Sequence, residues 1–362
     1  KELLKVLNFE EKDDVFSKVY NENPNAYLKV NFKKNILIYP IDKGFTVNGE
    51  FTCNFTSDEN FVVFECINRL FEKGYKPEHI ELEPKWKVGH GASGGRADIL
   101  IKDNSEKSFL IIECKTDGYE FKKEWENTKL NGGQMLTYAK QAGSTQYVCL
   151  YSSDFEAQKI SYKSNIISLK DNINLLESLI DKKPMSFAEA KALEVEDIYN
   201  AWKNTYDLYF ETKGIFESDI EPYKVGKQKH KLKDLNEIGS KDIQSKYHEF
   251  ANIMRRYNVS GRENAFDKLV NLFLCKVVDE YENPDDLKFY WKGIANDSYF
   301  ELQDRLQVLY QVGMDKFLEE KITNVNRSEI VSAFRYVKKD PDSTQETILK
   351  YFRQLKYFKN SD

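Results

Sequence analysis

Apolar positions recur along this chain with two different periods, and the change falls near the middle. In the first half, short runs rich in Ile, Val, Leu, Phe and Tyr alternate with polar turns, the pattern of strands. Residues 35–40 (NILIYP), 79–88, 96–102, 108–116, 146–152 and 159–169 therefore predict strands. Two helices are expected among them. Residues 59–73 place Val63, Cys66, Ile67, Leu70 and Phe71 on one stripe, with Gly74 suited to end the helix and Pro77 to prevent its resumption. Residues 133–141 predict the other. In the second half strand signals fade. One helical stripe runs through Phe266, Leu269, Val270, Phe273, Val277 and Tyr281, another through Leu302, Leu306, Leu309, Tyr310 and Phe317. Pro184, preceded by Asp181-Lys182-Lys183, marks the expected boundary. The pattern thus predicts an α/β domain over 1–180, a mixed sheet flanked by helices, followed by an all-α domain over 181–362.

Composition narrows the class. No apolar run reaches the length of a membrane span, and no signal peptide is visible, so no membrane partner is expected. Lys1 is not an initiator methionine, which suggests a start inside a longer chain or after processing. The five cysteines are widely spaced and form no CxxC pair. That predicts reduced thiols in a cytoplasmic protein, with neither a zinc site nor a disulfide framework. The four histidines lack metal-ligand spacing. A net charge of -5 does not exclude nucleic acid, because binding depends on where the positive charge sits.

The candidate chemistry lies on two expected strands. Gly95-Arg96-Ala97-Asp98-Ile99-Leu100-Ile101 leads through a polar turn into Phe109-Leu110-Ile111-Ile112-Glu113-Cys114-Lys115. A hairpin of these runs brings Asp98 near Glu113. Alternation points Glu113 and Lys115 to one face and Cys114 to the other. Burying such charge without a partner is costly, and a divalent cation would offset it. Magnesium prefers oxygen ligands, keeps several waters and so needs only one or two carboxylates. It activates a bound water and polarises a phosphoryl oxygen, while Lys115 would orient or help deprotonate that water. The chemistry suits phosphodiester hydrolysis.

Asp98 followed, after fourteen intervening residues, by Glu113-Cys114-Lys115 resembles the PD-(D/E)xK nuclease superfamily. Ala97 stands where the superfamily's first motif commonly has proline. More narrowly, the stretch from Glu59 to Tyr138 is similar to the N-terminal nuclease domain of type I restriction motor subunits and of fused restriction–modification enzymes. The resemblance implies that Glu59 joins Asp98 and Glu113 at the magnesium ion, for which manganese can substitute. It also implies that Gln134 and Tyr138, four apart on one helical face, support the site or touch the DNA backbone. The helical second half resembles, on residues 264–276 and 302–310, the connector before adenine-N6 methyltransferase domains in type IIG fusions. An S-adenosylmethionine-dependent domain would then lie beyond these residues. The alternative is the truncated motor subunit of a type I enzyme, although no Walker motif is present here. Double-stranded DNA is the implied partner, with transient self-association for cutting both strands.

Blander readings compete. The proposed carboxylates could be a turn residue and a surface ion pair on a scaffold that binds nucleic acid or protein without cutting. Thr56-x-x-Glu59 also fits a capping box, and Glu65 lies away from the stripe that would face the site. The glycine-rich run 89–95 lacks a following Gly-Lys-Ser/Thr and reads as a flexible hairpin, with His90 a loop residue. Lys227, Lys229 and Lys231 lie in a run without acids, residues 223–233. It reads as a solvated loop or as a phosphate contact. Trp202, Tyr206, Tyr209 and Phe210 read as helix core and not as a base-stacking platform.

Overall fold

The computed structural model describes residues 1–86, 95–226, 229–237, 239–256, 262–317 and 358–359. The chain forms two compact units, Lys1–Gln228 and Lys229–Asp362. None of the described helices is long and apolar enough to cross a membrane.

The first unit opens with a short helix α1 (Glu2–Val6) and an antiparallel four-stranded sheet. Its strands, in spatial and chain order, are β1 (Glu10–Lys12), β2 (Val15–Tyr20), β3 (Asn23–Asn31) and β4 (Ile36–Ile38). Only the last was expected. On β3, Ala26, Leu28 and Val30 are buried while their neighbours are not, an alternation that the sequence does carry. A mixed six-stranded sheet follows. It comprises β5 (Thr46–Val47), β6 (Ile80–Leu82), β7 (Ile99–Lys102), β8 (Ser108–Cys114), β9 (Tyr147–Glu156) and β10 (Lys159–Ser168), adjacent in that order. The β5–β6 and β8–β9 pairs are parallel and the others antiparallel.

Helix α2 (Asp58–Lys73) lies across this sheet. Its stripe of Val63, Cys66, Ile67, Leu70 and Phe71 shares one core with Leu110, Ile112 and Cys114 of β8. Ser57 caps its start by accepting from the Glu59 amide, and Gly74 ends it at φ +97°, a conformation favouring glycine. Helices α3 (Tyr119–Asn131) and α4 (Gly133–Ala142) come between β8 and β9, and α4 packs on both of those strands. Helix α3 was not expected, because it offers too few apolar positions: it buries only Phe121, Trp125, Glu124 and Thr128.

All seven residues of β8 are buried, as befits a central strand covered on both sides. Truncating Ile112, fully buried in it, to alanine should lower stability by about 2–5 kcal/mol. A urea titration followed by circular dichroism checks this. A midpoint equal to wild type would place the core elsewhere.

The first compact unit runs on past the boundary expected at 180, to Gln228. Helices α5 (Ile173–Ser178), α6 (Phe187–Ala192) and α7 (Val195–Asn200) belong to it. Phe187, Ala190, Ile198 and Trp202 are fully buried. Lys191 Nζ donates to the Thr145 and Leu169 carbonyls at 2.7 and 2.9 Å. Pro184 therefore marks a turn within a packed unit, where composition alone suggests a linker.

The second unit is mainly helical, with α8 (Ser240–Arg256), α9 (Arg262–Glu282) and α10 (Tyr299–Phe317), plus one short parallel pair, β11 (Asn236–Glu237) with β12 (Phe358–Lys359). Leu302, Leu306 and Leu309 of α10 are buried as expected. On α9 the buried face is Leu269, Leu272, Cys275 and Val278, while Val270 and Tyr281 are exposed. The expected stripe is therefore rotated. The reason is that polar side chains share the buried face: Lys276 pairs with Glu280 at 3.0 Å, and Asp279 accepts from the Phe289 amide at 2.7 Å. The side chains of Phe266 and Phe317 lie outside the described residues.

Candidate active site

The β7–β8 hairpin assembles the site. Ile99 pairs with Ile112, so one further step of the register sets Asp98 opposite Glu113. Directly opposed residues on an antiparallel pair have Cβ atoms about 4.5–5.5 Å apart on one face. Because Leu110, Ile112 and Cys114 belong to the α2 core, alternation turns Glu113 and Lys115 to the other face. Asp98 Oδ2 accepts from the Cys114 amide at 2.6 Å, which ties the two strand ends together. The Asp98 carbonyl accepts from the Glu83 amide at 3.0 Å.

Lys115 sits among carboxylates. Its Nζ is 2.7 Å from Glu113 Oε1 and 3.4 Å from Glu59 Oε2. Glu113 is 3% exposed, and its Oε2 has no hydrogen-bond partner among the described residues. A buried carboxylate oxygen without a donor costs desolvation energy that the fold does not recover. It is the clearest sign that something else completes this site.

The titration behaviour follows from the geometry. Burial raises the Asp98 carboxyl to about 7, with Lys115 and the Cys114 amide opposing the rise. Burial and the neighbouring Asp98 push Glu113 well up. For Lys115, burial works to lower the pKa, but Glu113, Asp98 and Glu59 outweigh it and the ammonium is held more tightly. The pocket thus holds three acids and one certain positive charge. Asp98 and Glu113 are the residues that could hold a hard cation. Among the described residues no group of three His, Cys, Asp or Glu side chains is arranged to do so. The expected third ligand, Glu59, enters the cluster through Lys115.

Glu59 is also not the capping-box glutamate. The N-cap is Ser57, one residue later than that reading requires, and Thr56 bonds Asn54. This releases the Glu59 side chain toward Lys115. Glu65 is almost fully buried and is engaged by Arg69 and the Tyr151 hydroxyl, so it has no role at the site.

Tyr138 is buried, and its hydroxyl is held protonated by burial and by the charges of Glu113 and Asp98. Its ring stacks on Trp86 with centroids 5.7 Å apart. Gln134, one turn earlier, is exposed, and its backbone amide donates to Glu124 at 3.2 Å. Gly95 lies against the Tyr138 ring: a Cβ there would stand 2.9 Å from Cε1. Gly95→Ala should therefore displace Tyr138, costing about 1–3 kcal/mol through overpacking. Thermal unfolding checks it. A melting temperature equal to wild type would show that the Tyr138 ring yields without cost.

Two residues of this region escaped the sequence reading. Glu83, 3% exposed, accepts from the Thr52 amide at 2.8 Å and its hydroxyl at 2.9 Å. Arg96 reaches toward it, Nη1 to Oε2 at 3.6 Å. Glu83 falls in an apolar run and so reads as an ordinary strand glutamate. Its burial comes from Thr52, a contact across thirty-one positions.

The run 89–94, including His90, lies outside the described residues, as does Lys227. Lys229 stands 3.8 Å from Asp286 in the second unit, and the Lys231 amide caps onto Asp234 at 3.1 Å. Trp202 and Tyr206 are buried as expected of core, whereas Tyr209 and Phe210 are half-buried and lie beyond the helical turn that ends at Thr205, Phe210 packing on Trp125 with centroids 4.6 Å apart. No family model matches this chain, and no curated protein matches it either.

Proposed function

We propose that this chain cuts DNA with a magnesium-dependent nuclease site in which Asp98 and Glu113 hold the cation and Lys115 serves the attacking water. The observation that carries the reading is the meeting of two opposed carboxylates and an ammonium group at the end of a buried hairpin, with Glu113 Oε2 buried and unbonded. Two carboxylates with one unsatisfied oxygen suit magnesium, which keeps several of its own waters, and manganese accepts the same ligands. When bound, the cation supplies charge neutralisation and a more acidic water.

The protein side chains do the rest. Lys115 remains an ammonium while the carboxylates beside it are charged, so it donates hydrogen bonds to the water or to a phosphate oxygen. Glu59 restrains the ammonium from the opposite side. Tyr138 stays a hydrogen-bond donor across the physiological range. Gln134, exposed one turn away, is placed to reach a DNA strand entering the site. In this reading the chain is the cleavage part of a restriction–modification enzyme, a type IIG-like fusion whose methyltransferase and recognition parts choose the sequence. The second unit is the connector.

The test is conversion of supercoiled plasmid to nicked and linear forms by the purified chain. Cleavage is expected with magnesium or manganese and none with chelator. If the protein neither cuts with either cation nor binds manganese by calorimetry, the reading is wrong.

A further inference from the structure

Arg96 carries a positive charge at the mouth of the proposed site. It precedes Asp98 by two residues, so their Cα atoms are at most about 7 Å apart. Its side chain is 46% exposed. The guanidinium lies over the Phe51 ring at 4.9 Å from the centroid, and that ring is itself 67% exposed. Glu83 steers it from below, but at 3.6 Å, too far for a hydrogen bond. Glu83 is in turn clamped by Thr52, and Gly49 makes room for it, since a Cβ there would stand 2.1 Å from Oε2. The arrangement orients a guanidinium without consuming its donors.

We propose that Arg96 grips a phosphate of the DNA strand beside the one being cut, with its plane fixed by Phe51 and its direction set by Glu83. The inference rests on the nuclease reading above and names a contact that reading lacks. Phosphates follow one another along a strand with a rise of about 3.4 Å, so a long side chain whose Cα lies within about 7 Å of that of Asp98 can extend to a neighbour of the scissile phosphate. Arginine suits the task because its fork of N–H groups matches phosphate oxygens and its face stacks on an aromatic ring. The site needs such a group, because its acids would otherwise repel the strand. Glu83 acts here as a positioning residue.

The experiment measures binding of a short labelled duplex by fluorescence anisotropy, with calcium in place of magnesium to prevent turnover, across a salt series. Arg96→Ala should weaken binding roughly tenfold and reduce the slope of log affinity against log salt by about 1. Arg96→Lys should keep the slope and still lose affinity, since the charge remains but the stacked fork is gone. Phe51→Ala should do the same. Glu83→Gln should weaken binding by a smaller factor, with the slope unchanged. Manganese affinity should stay at the wild-type value in Arg96→Lys and Phe51→Ala, which leave the charge around Asp98 unchanged. If wild type cuts DNA and Arg96→Ala binds the duplex with wild-type affinity and slope, this inference fails and the nuclease reading stands. If wild type neither binds nor cuts, both fall together.

Discussion

Replacing Lys115 by alanine is expected to lower the rate of DNA cleavage by about 10²–10³-fold while leaving manganese affinity equal to wild type or higher. The two halves of this expectation have one cause. Among the described residues, Lys115 is the one cation touching Glu113 and Glu59, at 2.7 and 3.4 Å. Removing it strips the donor that would serve the water or the phosphate oxygen, so the transition state loses its stabilisation. The same change leaves Asp98, Glu113 and Glu59 more negative as a group, which favours a divalent ion. A role confined to folding would behave differently, lowering stability, cation affinity and activity together. The assays are single-turnover cleavage under saturating magnesium and calorimetric titration with manganese, on protein whose circular dichroism matches wild type. Cleavage by Lys115→Ala at the wild-type rate would remove the residue from the mechanism.

In the metal-free protein, Asp98→Asn should raise stability near pH 8, with the advantage shrinking markedly by pH 5. The sign follows from proton linkage. Asp98 titrates at about 7 in the fold against 3.8 as a free side chain. Between those values the folded state keeps a proton that the unfolded state has released, so stability falls as pH rises through the window. Above about 7 the penalty is complete, and below about 4 it vanishes. At about 1.4 kcal/mol for each tenfold change in proton affinity, the full effect is a few kcal/mol, reduced where water reaches the carboxyl. Asparagine keeps the shape and cannot ionise. Magnesium should stabilise wild type at pH 8 and have little effect at pH 5, where protons compete for the same oxygens. In Asp98→Asn it should have little effect at either pH. Melting temperatures at the two pH values, with and without magnesium, decide the matter. A wild-type protein more stable at pH 8 than at pH 5 in chelator, and no better for the substitution, would show that the carboxyl is not held under strain.

Both predictions depend on a geometry that the sequence only half discloses. Asp98, Glu113 and Lys115 could be singled out because strand alternation is a local rule: residues two apart share a face whatever the strand packs against. The apolar runs that carry them are equally local, as are the stripe of α2 and its stop at Gly74. Elements with weak periodicity were lost. Helix α3 is mostly polar, and the stripe of α9 was misplaced because Lys276 and Glu280 are buried there as a pair and Asp279 is buried against the Phe289 amide. The end of the first unit was not legible either. Pro184 reads as a boundary, yet Phe187 of α6 and Trp202, just after α7, are fully buried within the first unit.

By itself, then, the sequence determined which residues have the chemistry and which share a face, because those properties arise within a few bonds of each residue. Only the tertiary structure decided how that chemistry is partitioned. The register of β7 on β8 set Asp98 opposite Glu113. The N-cap at Ser57 left Glu59 free of a capping box and within 3.4 Å of Lys115. Contacts between residues far apart in the chain buried Glu83 beneath Arg96. Such pairings depend on which surfaces meet when the sheet closes, and charge, burial and proton affinity are properties of that meeting.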